Sequence, residues 1–181
     1  MDLHDQNILL ELTPEKSQKI EIYQEILSIL STISERTTDS SFSLLDSLKI
    51  FENEIYISFI ARKITIFCEI FPFHINLYSQ LASAIKSSNL HFKDLFLSQL
   101  FHRYYFANYN CESNFVLYTI HCCIKERIYT IGEIITQFKE NFRQKYQYTT
   151  CNTLFYIYFS PELKENDKNF DDLSKLLNIQ P

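Results

Sequence analysis

The stretch EIFPFHINLYSQLASAIK, Glu69 to Lys86, holds a lone proline between two apolar runs. The residue before a proline is disfavoured in the helical region, so a preceding helix should end near Phe71. The stretch therefore predicts two antiparallel helices joined by a short turn at Pro72, with Ile70 and Leu81 on their packing faces. After the proline, apolar residues recur at the spacing of one helix face: Ile75, Tyr78, Leu81, Ala82 and Ile85.

Three further helices are predicted upstream of this stretch. Thr13 and Pro14 combine an N-cap hydroxyl with a proline at the first helical position, and this helix should fade near Arg36. Residues 42–51 form the second helix. Residues 54–71 begin with β-branched residues typical of a strand, but 18 residues are long for a strand, which favours a third helix. The predicted faces are Ile22, Ile26, Ile29, Leu30 and Ile33, then Leu44, Leu45, Leu48 and Phe51, then Tyr56, Ile60, Ile64, Phe67 and Phe71.

Three more helices follow the proline stretch. One spans residues 91–107, a turn follows at 108–110, and the next helix opens at Glu112 or Ser113. Thr130 and Glu133 have the spacing of a capping box, in which each side chain caps the backbone N–H of the other residue. The predicted faces are Leu97, Leu100, Phe101 and Tyr104, then Val116, Ile120, Cys123 and Ile124, then Ile134, Ile135, Phe138 and Phe142.

The last part of the chain divides at Pro161. Residues 149–160 have a β-leaning composition, but a lone strand would leave its edges unpaired, so we favour a helix here. Residues 162–181 carry an apolar stripe among charges and form a short terminal helix or a tail. The predicted organisation is a tail at 1–12, a helical domain at 13–160 and a charged C-terminal helix or tail at 161–181.

Composition agrees with helices rather than sheets. Gly132 is the only glycine among 181 residues, whereas tight hairpins depend on glycine for positive φ. We therefore predict an all-α fold, an antiparallel helical array. A short solenoid of helix pairs is one form of such an array, although no sequence repeat at a fixed period is evident.

Charge and cysteine usage limit the compartment and the partner. Residues 1–40 carry a net charge of −5 and residues 162–181 of −2, around a middle of +2, so a nucleic-acid partner is disfavoured. Five cysteines without framework spacing indicate reduced thiols. The longest charge-free runs have 16 residues, short of the roughly 20 that a membrane span needs. We expect an intracellular, cytoplasmic protein without a membrane span.

The segment IHCCIK, residues 120–125, places His121, Cys122 and Cys123 side by side, with Cys111 nearby. Adjacent residues on a helix point about 100° apart and do not converge on a metal, so core or surface thiols are favoured over a zinc site. No Cys–His pair lies in a recognisable protease motif, and a solitary glycine excludes phosphate-binding loops. The sequence therefore predicts no catalytic, cofactor-binding or metal-binding residue.

Two other segments have a functional and a structural interpretation. FRQKYQY, residues 142–148, interleaves Arg143 and Lys145 with two tyrosines that could stack on bases. Basic residues are equally typical of a helix C-terminus, and we favour that interpretation. His74 and Tyr78 could flank a site at the proline turn, but a contact at a helix start is favoured.

Three stretches carry a family resemblance: EIFPFHINLYSQLASAIK, then FKDLFLSQLF (92–101), then IKERIYTIGEIITQF (124–138). In order and spacing they resemble the helical region that precedes the ankyrin repeats in a large family of protozoan ankyrin-repeat proteins. The resemblance covers residues 10–160. The repeats themselves, with their T-P-L-H start, are absent. Because binding in such a family is expected mainly on the repeats, the resemblance transfers no binding residue to this chain.

These observations lead to two functional hypotheses from different classes. The first is a non-catalytic helical protein–protein interaction module that binds a protein partner or another copy of itself. The alternative is an RNA- or nucleotide-binding helical domain that uses residues 139–148. An enzyme is disfavoured because no chemical signature is present. The sequence names no partner-binding residue and no partner.

Overall fold

A computed structural model describes residues 14–34, 38–106 and 112–140. The described residues contain helices and turns and no strand, which confirms the all-α prediction. The predicted turn at 108–110 and the segments 1–12, 149–160 and 161–181 lie outside them. The described residues form seven α-helices: α1 (Pro14–Ser31), α2 (Thr38–Ser47), α3 (Glu54–Ile70), α4 (Ile75–Ser88), α5 (Leu90–Phe106), α6 (Glu112–Lys125) and α7 (Ile131–Glu140).

The helices form two layers. In the first layer α3 packs between α1 and α5, and in the second layer α4 packs between α2 and α6. Along α4 and α6, Ser79 lies beside Cys123 and Ser83 binds the carbonyl of Glu126, so these two helices run in the same direction. Stacking of each helix on the second helix along the chain is the arrangement of helix pairs in a solenoid.

Polar residues mark where helices of the first layer begin. Asn53 before α3 and Thr130 before α7 each accept a backbone N–H with a side chain. Such caps satisfy N–H groups that have no partner within the helix.

The core lies between the two layers, and several predicted faces are confirmed. All five predicted residues of α4 are buried, as are all four predicted residues of α6. In α1 the predicted face is buried from Ile26 onward, and Ile22 packs against its edge. In α4 one apolar stripe at 3.6-residue spacing determines which side packs, whereas in α6 burial extends beyond the predicted face to His121 and Cys122.

Other predicted faces are wrong in detail. The second helix ends at Ser47 because Lys49 has a left-handed backbone (φ 52°), and a 3-10 turn follows at Ile50–Glu52. Leu44 of the predicted face is 51% exposed, whereas Leu45 and Phe51 of the same face are buried. In α3 the predicted residues Ile60 and Ile64 are buried, but Phe71 and Ile70 are exposed. In α5 the predicted residues Leu100 and Phe101 are buried together with Phe92 and Phe96, whereas Leu97 is half-buried. Both helices are apolar on more than one side, so periodicity alone does not fix their orientation.

The turns at one end of the array are tied to one another by side chains. Asn89 donates from Nδ2 to the carbonyl of Phe51 (2.7 Å), which links the α4–α5 connection to the α2–α3 turn. Lys86 Nζ donates to the carbonyl of Arg127 (2.6 Å) in the α6–α7 turn. Such bonds satisfy carbonyls at turns and helix ends that no helical partner reaches.

The predicted capping box is confirmed at the start of α7. The Thr130 N–H donates to Glu133 Oε2 (2.8 Å), and the Glu133 N–H donates to Thr130 Oγ1 (3.2 Å). Glu133 also forms an ion pair with Lys93 of α5. Desolvation opposes ionisation of Glu133, but the hydrogen bonds from Lys93 and Thr130 prevail and lower the pKa of this carboxyl below its ordinary value.

Aspartate substitutions at Ile70 and Leu81 should have very different effects. Leu81 is completely buried, so Leu81→Asp should lower the free energy of unfolding by about 3 kcal/mol or more through a buried unpaired charge. Ile70 is 56% exposed, so Ile70→Asp should change it by about 0.5 kcal/mol or less. Urea denaturation of both variants measures the difference, and equal losses would contradict the packing described here.

The Glu133 interactions should produce a specific pH dependence. A lowered folded-state pKa stabilises the protein above the unfolded-state pKa, about 4.3, and this contribution is lost as pH falls through the folded-state value. Glu133→Gln should therefore be less stable than the wild type at pH 7, and the difference should shrink below about pH 4. Glu25→Gln, on the exposed side of α1, is the control and should have little effect at either pH.

Candidate functional site

The proline turn, defined as residues 70–74, joins α3 to α4 as the sequence predicts. The Phe71 N–H donates to the Phe67 carbonyl (2.8 Å), which closes α3, and Phe71 then leaves helical geometry at ψ 68°. Pro72 occupies the first position of a 3-10 turn, where no N–H donor is required. The His74 N–H donates to the Phe71 carbonyl (2.9 Å), which completes the turn.

A ladder of stacked rings anchors this turn to the core. The rings of His74 and Phe71 lie 6.1 Å apart, Phe71 and Phe67 5.8 Å, and Phe67 and Tyr78 5.9 Å, with interplanar angles of 26°, 14° and 12°. The Tyr78 hydroxyl donates to the carbonyl of Leu30 at the end of α1 (3.0 Å). The backbone that presents the turn is therefore held by three helices.

The turn presents large apolar side chains to solvent. Phe73 is 96% exposed, the largest value among the exposed large apolar side chains of the described residues, and Ile70 and Phe71 are also exposed. We call these three side chains the turn surface. An ion pair between Arg103 of α5 and Glu69 of α3 (3.0 Å) lies at the adjoining helix ends. Grouped exposed apolar side chains on a rigid turn are typical of contact sites.

The structure does not bring His74 and Tyr78 together as a polar site. His74 is exposed on the turn, whereas Tyr78 is fully buried and its hydroxyl is engaged by Leu30. Burial raises the pKa of the Tyr78 phenol above its ordinary value, so this group stays neutral and serves as a hydrogen-bond donor. The interpretation of Tyr78 as a structural residue is the one that these contacts support.

Sequence reasoning missed Phe73, although a signal was present. The face of the helix after the proline begins at Ile75 and continues through Tyr78 and Leu81. Phe73 lies before that helix and outside its pattern, in a segment where a polar residue would be typical. A large apolar residue in a turn, outside both adjoining helix faces, therefore indicates an exposed position.

The cysteines of α6 belong to the interior. Cys122 Sγ donates to Asn76 Oδ1 (2.9 Å), Cys123 lies 3.9 Å from the hydroxyl of Ser79, and Cys68 of α3 hydrogen-bonds to Thr119. Desolvation raises the pKa of the Cys68 and Cys123 thiols well above their ordinary value. Protonated buried thiols are poor nucleophiles, so this cluster is built for packing.

The remaining candidate residues from the sequence do not form a metal site or a membrane span within the described part of the chain. Within the described residues, no group of three His, Cys, Asp or Glu side chains is arranged to hold a metal ion. Cys111 and the segment 142–148, with Arg143 and Lys145, lie outside those residues. None of the described helices combines the length and apolar character needed to cross a membrane.

Comparisons with known proteins add no family assignment. The chain matches no family model, no curated protein and no solved structure. The resemblance to the helical region of ankyrin-repeat proteins therefore stays a hypothesis that depends on the three quoted sequence stretches.

The buried thiols should be unreactive in the native protein. In a Cys111→Ser, Cys151→Ser background, we expect Cys68, Cys122 and Cys123 to react with a thiol reagent only after denaturation, because they are buried. Gln80→Cys, at an exposed position of α4, is the control and should react at once. Elemental analysis of the purified protein should find no stoichiometric zinc. Native thiols that react as fast as the control would contradict this assignment.

Proposed function

We propose that this chain is a non-catalytic protein–protein interaction module and that the turn surface binds its protein partner. The observation that carries the proposal is the exposure of Phe73, 96%, on a turn whose backbone is fixed by ring stacking and by the Tyr78 hydrogen bond. Aromatic side chains of this kind contribute most of the binding energy in many interfaces.

The energetics favour a macromolecular partner. Complete burial of a phenylalanine side chain contributes roughly 1.5–3 kcal/mol of transfer free energy, and Ile70 and Phe71 add to this. Because the turn is already ordered, little backbone entropy should be lost when a partner binds. The Arg103–Glu69 ion pair beside the surface supplies polar groups of both signs at its margin.

The architecture supports the same proposal. Stacked helix pairs expose their turns along the ends of the array, so the turn surface is accessible to a partner. The resemblance to the region that precedes ankyrin repeats agrees with a helical-pair architecture and leaves the binding residues to be found by experiment. Binding to another copy of the chain belongs to the same class and is one outcome of the test.

The test compares two exposed apolar residues at different places in the array. Phe73→Ser removes the centre of the turn surface, whereas Leu90→Ser removes a 75% exposed side chain at the start of α5. A partner captured from nuclease-treated native extract is purified and titrated with each variant. We expect Phe73→Ser to weaken binding about tenfold or more, since it removes more than about 1.4 kcal/mol, and Leu90→Ser to stay near wild type.

Salt dependence separates this proposal from nucleic-acid binding. Apolar contacts should change little between low and moderate salt, whereas phosphate contacts lose affinity steeply. Filter binding with RNA at two salt concentrations, with Arg143→Ala and Lys145→Ala as variants, tests the alternative. Tight, salt-sensitive RNA binding that these substitutions abolish would replace the present proposal, as would protein capture that is indifferent to Phe73→Ser.

A further inference from the structure

The turn surface combines a projecting ring with a stack of rings that ends at solvent. Phe73 is 96% exposed, so nearly all of its ring is accessible to another molecule. The ladder that begins at Tyr78 in the core ends at His74, which is exposed. Aromatic rings pack favourably against a further ring at centroid distances of about 4.5–7 Å. The surface therefore holds both halves of an aromatic contact.

The charges beside the turn are also of both signs. Arg103 of α5 and Glu69 of α3 lie 3.0 Å apart, and their side chains are 39% and 31% exposed, so each retains surface for a second contact. A two-fold axis that crosses the line between these charges at a right angle places each charge opposite the unlike charge of the other copy. The ion pair is therefore complementary to itself across such an axis.

The net charge of the chain favours this place for a contact between copies. The chain has a formal net charge of −5, so two copies repel each other except where local charges cancel. Glu69 is the only Asp, Glu, Lys or Arg in residues 69–74, and Arg103 neutralises it. Surfaces of complementary potential select each other over surfaces of one sign. An apolar, locally neutral surface thus fits another surface of the same kind.

Resting on the proposed function, which assigns protein binding to the turn surface, we propose that the partner is a second copy of this chain. The two copies meet turn to turn about a two-fold axis. Phe73 of each copy packs on the His74 and Phe71 rings of the other. Glu69 of each copy pairs with Arg103 of the other, in addition to the pair within its own chain. Standard interfaces bring together about 20–30 residues a side, so this smaller dimer is weak and reversible.

Sedimentation equilibrium of the full chain under reducing conditions measures the self-association. We expect a monomer–dimer equilibrium with a dissociation constant on the order of 100 µM, because the contact is small. Phe73→Ser should weaken dimerisation about tenfold or more. Leu90→Ser removes an exposed apolar side chain at the start of α5 and should stay within about twofold of the wild type.

Charge reversal tests the two-fold arrangement. Glu69→Arg alone and Arg103→Glu alone each produce a surface of one sign, so each variant should dimerise about fivefold or more weakly than the wild type. An equal mixture of the two variants should restore association, because surfaces of opposite sign then meet. The double variant Glu69→Arg, Arg103→Glu keeps the ion pair within each chain. It is the control for folding and should dimerise like the wild type.

The outcomes separate this proposal from the proposed function. A wild-type chain that stays monomeric at about 1 mM, or a mixture that associates no better than its components, would overturn the dimer. If that monomeric chain captures another protein and Phe73→Ser weakens the capture, the dimer fails and the proposed function stands. If Phe73→Ser weakens neither self-association nor capture, both fail.

Discussion

The hydrogen bond from Tyr78 to the carbonyl of Leu30 is the contact on which the arrangement of the first two helix pairs depends. Leu30 belongs to the last turn of α1, whose final carbonyls have no partner within the helix. Leu30 is completely buried, so water does not satisfy this carbonyl. The Tyr78 hydroxyl does so at 3.0 Å, while its ring stacks on Phe67 of α3. A single side chain of α4 thus fixes helices of both layers.

This contact also explains why the proline turn presents its side chains in a defined way. Tyr78 is the inner end of the ring ladder that reaches His74 through Phe67 and Phe71. Stacked aromatic pairs contribute about 0.5–1.5 kcal/mol each beyond their burial, and a neutral hydrogen bond about 1 kcal/mol. These contributions offset the unfavourable exposure of the turn's apolar side chains to water. The contacts of Tyr78 that stabilise the interior therefore also fix the position of the turn surface.

The sequence predicted the buried face fully where a helix has one apolar stripe and only in part where apolar residues occur on several sides. In α4 the polar residues leave only one orientation, so the predicted face is the buried one. In α3 the β-branched and aromatic residues surround the helix, and its packing against α1 and α5 buries Ile57, Ala61 and Cys68 in addition to the predicted Ile60 and Ile64. The end of α2 was also mispredicted, because Lys49 rather than a glycine adopts the left-handed conformation that follows this helix.

The turn surface was harder to predict than the fold because exposure is a property of the assembled layers. The sequence drew attention to His74 and Tyr78, two polar side chains four residues apart. In the structure Tyr78 is buried and its hydroxyl donates to the carbonyl of Leu30. The position of Phe73 outside both adjoining helix faces is visible in the sequence, but its exposure also depends on how α3 and α4 pack.

The core and the exposed side chains of the array are under different constraints. Leu45, Ala82 and Thr119 are all buried in helices of the second layer, although they differ in size and polarity. A buried position is constrained by volume and packing, so a substitution there changes stability first. Phe73 is 96% exposed and fills no space between helices, so a substitution there should leave the fold unchanged. The core and the side chain of Phe73 can therefore change independently of each other.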